Sequence, residues 1–121
     1  MAYRIAYDNT NGVVDVIYEG EVSLEERKKA VEDVCNEFAH LDILPIMVDV
    51  RGLEMHLSTT DQKAFGQFLA SHPVLSKARV AVLHPETHNP NLLIDTTAFS
   101  QGYTLAQFNL LPDAHAWLKQ A

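Results

Sequence analysis

The sequence predicts one α/β domain over residues 1–121: a mixed five-stranded sheet that opens with a hairpin, continues in parallel βα units and carries four helices. Three observations lead there. The 121 residues are one domain's worth of chain, enough to bury a core without disulfides or a structural metal. Short runs rich in branched and aromatic residues alternate with segments whose apolar residues recur at helical spacing. The first two of those runs adjoin each other, whereas each later one is followed by a helix, which implies parallel pairing through right-handed crossovers.

Tyr3 to Tyr7 and Val13 to Tyr18 read as the hairpin strands. Between them Asp8-Asn9-Thr10-Asn11-Gly12 ends in Asn-Gly, the pair that supplies positive φ in a tight turn. Ser23-Leu24-Glu25-Glu26 has the form of a capping box, Ser23 accepting from the Glu26 backbone while the Glu26 carboxylate reaches back. The helix that follows carries Val31, Val34, Cys35 and Phe38 in one apolar stripe, with Cys35 a small buried hydrophobe inside it. Ile46 to Val50 is a nearly all-apolar strand of the kind covered on both faces, ending in Asp49-Val50-Arg51-Gly52. A second helix starts near Ser58-Thr59-Thr60-Asp61, all good N-terminal residues, buries Ala64, Phe65, Phe68 and Leu69, and stops by Pro73. Arg79 to Leu83 is another buried strand, followed by the loop His84-Pro85-Glu86-Thr87-His88. Asn89-Pro90 opens a third helix that Gly102 closes, Thr104 to Phe108 is the fifth strand, and Pro112 begins a last helix with Ala114, Trp117 and Leu118.

Composition bounds the class. With 47% hydrophobic and 21% charged residues the chain is neither disordered nor a coiled coil. The longest apolar run, Ile43 to Val48, is interrupted by Pro45 and falls far short of the ~20 residues of a membrane span. The first residues reach a charge at Arg4 too early for a secretory signal, and a lone cysteine suits a reducing compartment, so a cytoplasmic location is expected. Residues 1–60 hold 12 acids and 5 bases, residues 61–121 four of each, so the net charge of −7 lies in the first half. That surface repels nucleic acid. Arg27-Lys28-Lys29, flanked by Glu25, Glu26, Glu32 and Asp33, reads as one face of a salt-bridged helix.

The search for chemistry narrows to two places. His84, Glu86 and His88 alternate in a loop broken by Pro85, with no motif to supply a fourth ligand, so no metal is expected. There is no nucleophile elbow and no glycine-rich phosphate cradle, and a carboxylate pair built from Asp49 and Glu54 would put one partner in a loop. The expectation is therefore no enzyme and no cofactor. Asp49, Arg51 and His84 map to strand ends, where open α/β sheets bind ligands, and are the candidates for a small apolar or anionic ligand; a salt bridge fixing the loop is the plainer reading of the first two. Ser58, Thr59 and Thr60, at a helix start whose amides favour an anion, are candidates for phosphorylation.

The element order, the strand Ile46-Met47-Val48-Asp49-Val50-Arg51-Gly52 and the ending Phe108 to Leu118 resemble the SpoIIAA-like proteins, small relatives of the STAS domains of anti-sigma-factor antagonists. The D-x-R-G after a buried strand and the A-x-x-W-L of the last helix carry the likeness, which covers nearly the whole chain. It implies a non-enzymatic regulatory module that binds a protein partner, switched by phosphorylation of a serine at the helix after this strand, a place Ser58 occupies. The motif D-S-[SG]-G is absent; the segment reads Glu54-Met55-His56-Leu57-Ser58-Thr59-Thr60. Relatives compared with Sec14-like lipid carriers imply the alternative, a ligand or lipid carrier acting near Asp49, Arg51 and His84, which calls for an apolar cavity. Sheet edges and apolar helix faces also make a homodimer an expectation.

Overall fold

A computed structural model, describing residues 2–120, begins with the expected antiparallel hairpin of β1 (Tyr3–Asp8) and β2 (Val13–Glu21). Asp8 holds the turn, its carboxylate accepting from the N–H groups of Thr10 and Asn11 at 3.0 and 3.2 Å. Of Asn11-Gly12 only the glycine takes positive φ, so the loop is wider than a two-residue turn. After the hairpin come α1 (Leu24–Phe38), β3 (Leu44–Glu54), α2 (Thr59–Ser71), a 3-10 turn at Val74–Lys77, β4 (Ala78–Leu83), α3 (Leu92–Ser100), β5 (Leu105–Phe108) and α4 (Leu111–Leu118). Both bonds of the capping box at Ser23 form, at 3.1 and 3.0 Å.

The strand order is β1-β2-β3-β4-β5, with every pair after the first parallel. Because the crossovers all step in one direction, right-handedness sends each helix to the same side. Accordingly α1, α2 and α3 pack Val31, Val34, Phe65 and Ile94 over Val16, Ile46 and Val80 on one face of the sheet. On the other face α4 sets Ala114 and Leu118 against Val13, Met47, Ala81 and Leu83. One eight-residue helix cannot cover that whole face. Arg4, Asp15, Asp49 and Arg51 occupy the uncovered part, exposed or half-buried.

Three local departures from the sequence reading have physical causes. The strand expected at Ile46 to Val50 extends to Glu54 because β2 continues beside it past a bulge, pairing Glu19 with Gly52 and Glu21 with Glu54. The third helix starts at Leu92 and not at Pro90, since the Asn89 side chain accepts from the Asn91 N–H at 2.9 Å and closes a turn ahead of it. Gly102 ends this helix as expected: at φ +95° it donates to the Phe99 carbonyl while Tyr103 donates to that of Ala98. Finally, Arg27-Lys28-Lys29 is not one solvated face. Lys29 pairs with Asp33 at 3.4 Å, Lys28 lies over the Phe68 ring, and Arg27 turns inward to become 1% exposed.

Candidate functional site

Arg27 is the centre of a buried polar cluster at the carboxyl ends of the parallel strands, beneath the starts of α1 and α3. It lies in the first turn of α1, in line with Ala30, Val31 and Val34, so the helix that buries the stripe buries the guanidinium with it. Its Nε donates to the Val22 carbonyl at 3.3 Å and its Nη1 to Asn91 Oδ1 at 3.2 Å. The Tyr18 and Phe65 rings flank it, with the guanidinium carbon 5.4 and 5.9 Å from their centroids. Asn91 then donates to Asp95 Oδ1 at 2.8 Å, and Asp95 Oδ2 accepts from Asn89 at 3.0 Å and Gln107 at 3.2 Å. Asp95, on α3, is only 3% exposed. Arg27 and Asp95 are thus joined through an amide and not as a direct ion pair.

Burial dominates the electrostatics. It pushes the Asp95 carboxyl above the ordinary carboxylate range, although three amide donors and His84 oppose it. Burial lowers the Arg27 pKa against the pull of Tyr18 and Asp95, and raises that of Tyr18 to about 12. Beside the cluster lies an apolar cavity of about 60 Å³ between the helices and the sheet, bounded by Val16, Val31, Phe65, Val82 and Tyr103 with Arg27 and Asp95 at its polar side. Arg27, Asn91 and Asp95 were not singled out from the sequence. The usable signal was Arg27 standing at helical spacing from the apolar stripe, and Asp95 being the sole charge between Glu86 and Asp113.

Asp49 and Arg51 form a bidentate pair, Nε to Oδ1 at 3.0 Å and Nη2 to Oδ2 at 2.8 Å, and the Arg51 N–H also donates to Oδ1 at 3.0 Å. Burial works to raise the Asp49 pKa, but the Arg51 side-chain and backbone hydrogen bonds and its charge outweigh it, so the carboxyl titrates below its usual range. The pair lies within β3 on the face shared with α4. His84 is instead beyond β4, its ring bonded to the Pro85 carbonyl at 2.7 Å and near enough to Asp95 to act on it electrostatically. His84 therefore stands apart from the Asp49–Arg51 pair. A crevice at strand ends needs neighbouring strands whose helices leave to opposite faces. Here β2, β3 and β4 send α1, α2 and α3 to one side and β5 sends α4 to the other. That place therefore falls between β4 and β5, where His84 follows β4, and not at Asp49 and Arg51, while the strand ends on the three-helix side lead to the Arg27 cluster.

Ser58 is the N-cap of α2, exposed, its Oγ accepting from the Asp61 N–H at 3.1 Å, with Thr59 and Thr60 exposed in the first turn. Among the described residues no three His, Cys, Asp or Glu side chains converge as metal ligands, the His84–His88 loop included. Cys35 is 3% exposed and its Sγ is 3.8 Å from His72 Nδ1, while His72 Nε2 meets Glu32 Oε1 at 2.9 Å. The spacing resembles a thiol–imidazole–carboxylate relay, but its chemistry is structural. Burial and then Glu32 push the thiol up to about 11, and Nδ1 already accepts from the Val74 N–H at 3.2 Å.

The two buried or paired carboxylates give opposite pH signatures. Asp95, raised, contributes stability that is complete below the ordinary carboxylate range and is lost as pH climbs through its elevated value. Asp49, lowered, contributes stability present above that range and lost as pH falls through its depressed value, at below about 1 kcal/mol because Arg51 is half exposed. The melting temperature of Asp95→Asn relative to the parent is expected to move in the variant's favour as pH rises above the ordinary carboxylate range. That of Asp49→Asn stays parallel to the parent above about pH 4 and moves in the variant's favour only as pH falls below it, and curves of both variants parallel to the parent at every pH would contradict both assignments.

No protein-family model matches the chain. No curated protein matches it in sequence. Among solved structures it is similar to an uncharacterized protein of the DUF3478 family from Shewanella loihica, described as having a SpoIIAA-like fold. The two share 15% identity at a TM-score of 0.64, over 97% of this chain and 92% of that one. No helix among the described residues is long and apolar enough to cross a membrane. The hairpin, the consecutive parallel strands, the three helices on one face and the single helix behind make this chain a SpoIIAA-like fold.

Proposed function

We propose that the protein is a non-enzymatic regulatory module of the cytoplasm that acts by binding a partner protein, with phosphorylation of Ser58 as its switch. The observation that carries this reading is the placement of Ser58: exposed, at the N-cap of the helix that follows the central strand, with its oxygen already on a first-turn amide. A phosphate there adds a charge of about −1.5 to −2 against unsatisfied N–H groups and the positive end of α2, and so alters the local field without rebuilding the core. Thr59 and Thr60 are exposed beside it and are the neighbouring acceptor hydroxyls. The test is the intact mass of protein isolated from its own cells, with the modified residue mapped, followed by partner binding to Ser58→Ala and Ser58→Glu. Phosphate on Ser58 and a partner retained by one variant only is the expected result. No phosphate on residues 58–60 under any growth condition, with equal binding by both variants, overturns it. Ser58→Ala alone is expected to cost about 1 kcal/mol through loss of the cap.

The cavity beside Arg27 favours a second reading, a carrier or sensor for a small ligand with an anionic end. Its 60 Å³ is about two waters' share of liquid, far below the roughly 300–1,000 Å³ of drug-sized sites, so a lipid chain does not fit it as it stands. Short-chain carboxylates at a hundredfold excess over their dissociation constant are expected to stabilise the protein by about 2.7 kcal/mol, and Arg27→Met to abolish the effect. A flat thermal-shift series removes this reading.

A further inference from the structure

The far edge of the sheet differs from the rest of the surface. From Thr87 to Pro112 the chain contains one charged residue, Asp95, and that one is buried. The surface built by α3 and β5 therefore carries no exposed charge, whereas the opposite edge carries Arg4 on β1 and Asp33 and Glu37 on the adjacent α1. Leu92 and Phe99, two turns apart on α3, are 53% and 64% exposed. Between α3 and the edge of β5 runs a groove of about 240 Å³ lined by Thr96, Phe99, Leu105, Ala106, Gln107 and the buried Asp95.

Strand β5 pairs with β4 on one side only. The Val80 and His84 amides bond to the carbonyls of Thr104 and Phe108 at 3.0 and 2.9 Å. In a parallel ladder the intervening residues present their N–H and C=O groups the other way, so those of Leu105 and Gln107 face outward. Natural edges are guarded by short length, lysine, proline, bulges or inward-pointing charge. Of these guards β5 has only its short length, four residues.

We infer that this face is the contact between two copies of the chain: β5 pairs antiparallel with its twofold mate, making a continuous ten-stranded sheet, and Phe99 and Leu92 of the two α3 helices meet across the axis. A second copy is the occupant that suits an uncharged surface. In an isologous contact the same patch meets itself, so a face of one charge sign would repel its mate and an uncharged one does not. A basic or acidic partner would find nothing to pair with here, while the strongly acidic part of the molecule stays remote. The assembly goes beyond the Ser58 switch and does not depend on it.

The experiment is light-scattering mass of the whole chain across a micromolar to submillimolar dilution series, with amide hydrogen exchange on the same samples. The expected mass at the upper end is twice 13.5 kDa, with the Leu105 and Gln107 amides protected in step with dimer formation. Phe99→Arg is expected to return the mass to a single chain and release those two amides, its far-UV spectrum unchanged because the ring is already exposed. Ile43→Glu, at an apolar side chain 65% exposed elsewhere on the surface, leaves the dimer intact. A chain that remains single throughout overturns the inference, even if Phe99 then docks on lipid vesicles or on another protein. So does a dimer whose Leu105 and Gln107 amides exchange freely, since that dimer forms elsewhere, and the exchange measurement needs no variant at all.

Discussion

Arg27→Ala is expected to destabilise the protein by about 3–5 kcal/mol, the range seen when one member of a buried charged network is removed. Three losses combine. The Val22 carbonyl and Asn91 Oδ1 lose their donor inside the molecule. The stem and guanidinium leave a void against Tyr18 and Phe65 where an apolar cavity already exists. Asp95 keeps its three amide donors, but the attraction between its charge and that of Arg27 is lost. Arg27→Met separates these contributions, because it keeps most of the volume and removes the donors and the charge. Urea unfolding of both variants is the measurement. If methionine restores more than about half of the loss, volume dominates; if the two variants are equal, the hydrogen bonds and charge do. A wild-type midpoint for Arg27→Ala would mean that the residue is solvated and the cluster is not formed.

The second large effect concerns the contact of α2 with α3. A Cβ placed on Gly66 would stand 2.8 Å from Thr97 Cβ and 2.9 Å from the Ile94 carbonyl oxygen. Neither neighbour is the free end of a flexible side chain, so the helices themselves must separate. Alanine is better than glycine within a helix by about 1 kcal/mol, yet Gly66→Ala is expected to be net destabilising by about 1–3 kcal/mol because overpacking wins. Thermal unfolding checks the sign, with a loss of several degrees expected for a domain of this size. Gly66→Ala with Thr97→Ser, which shortens the opposing side chain but leaves the Ile94 carbonyl in place, should recover only part of the loss. A stabilised Gly66→Ala would show that helix propensity outweighs the contact.

The parts of this fold that were legible in the sequence are those governed by neighbours along the chain. Ser23 and Glu26 lie three apart and cap a helix whatever surrounds them. Ser58 caps α2 for the same local reason, and the branched runs at Ile46 and Arg79 are strands because nothing else hides so much apolar surface. What stayed hidden depends on partners far along the chain. Arg27 sits in a run of bases among acids, where the charge pattern sends it to solvent, and its partners inside include the Phe65 ring and Asn91, the latter 64 residues on. Asp95 is held by Asn89, Asn91 and Gln107, amides whose convergence no spacing announces. Asp49-Val50-Arg51-Gly52 looks like the end of a strand, and it is the neighbouring β2 that carries the ladder onward. The strand-end site expected near Asp49, Arg51 and His84 is divided, because Asp49 and Arg51 lie within β3 while the change of helix side falls between β4 and β5, a placement that the element order alone does not specify.

The consecutive strand order also bears on how the chain acquires its shape during synthesis. Each strand from β2 onward pairs with the one made just before it, so no emerging segment has to wait for a later one to complete its ladder. Each parallel pair must close a crossover before its ladder forms, which is slower than closing a hairpin, but the sheet can lengthen one βα unit at a time as residues leave the ribosome. Arg27 is the exception to that sequence of events. It is made early, stays wetted until Asn91 and α3 arrive, and is sealed in by the last third of the chain, so the guanidinium acts as a checkpoint that favours the fully assembled domain over any shorter folded fragment.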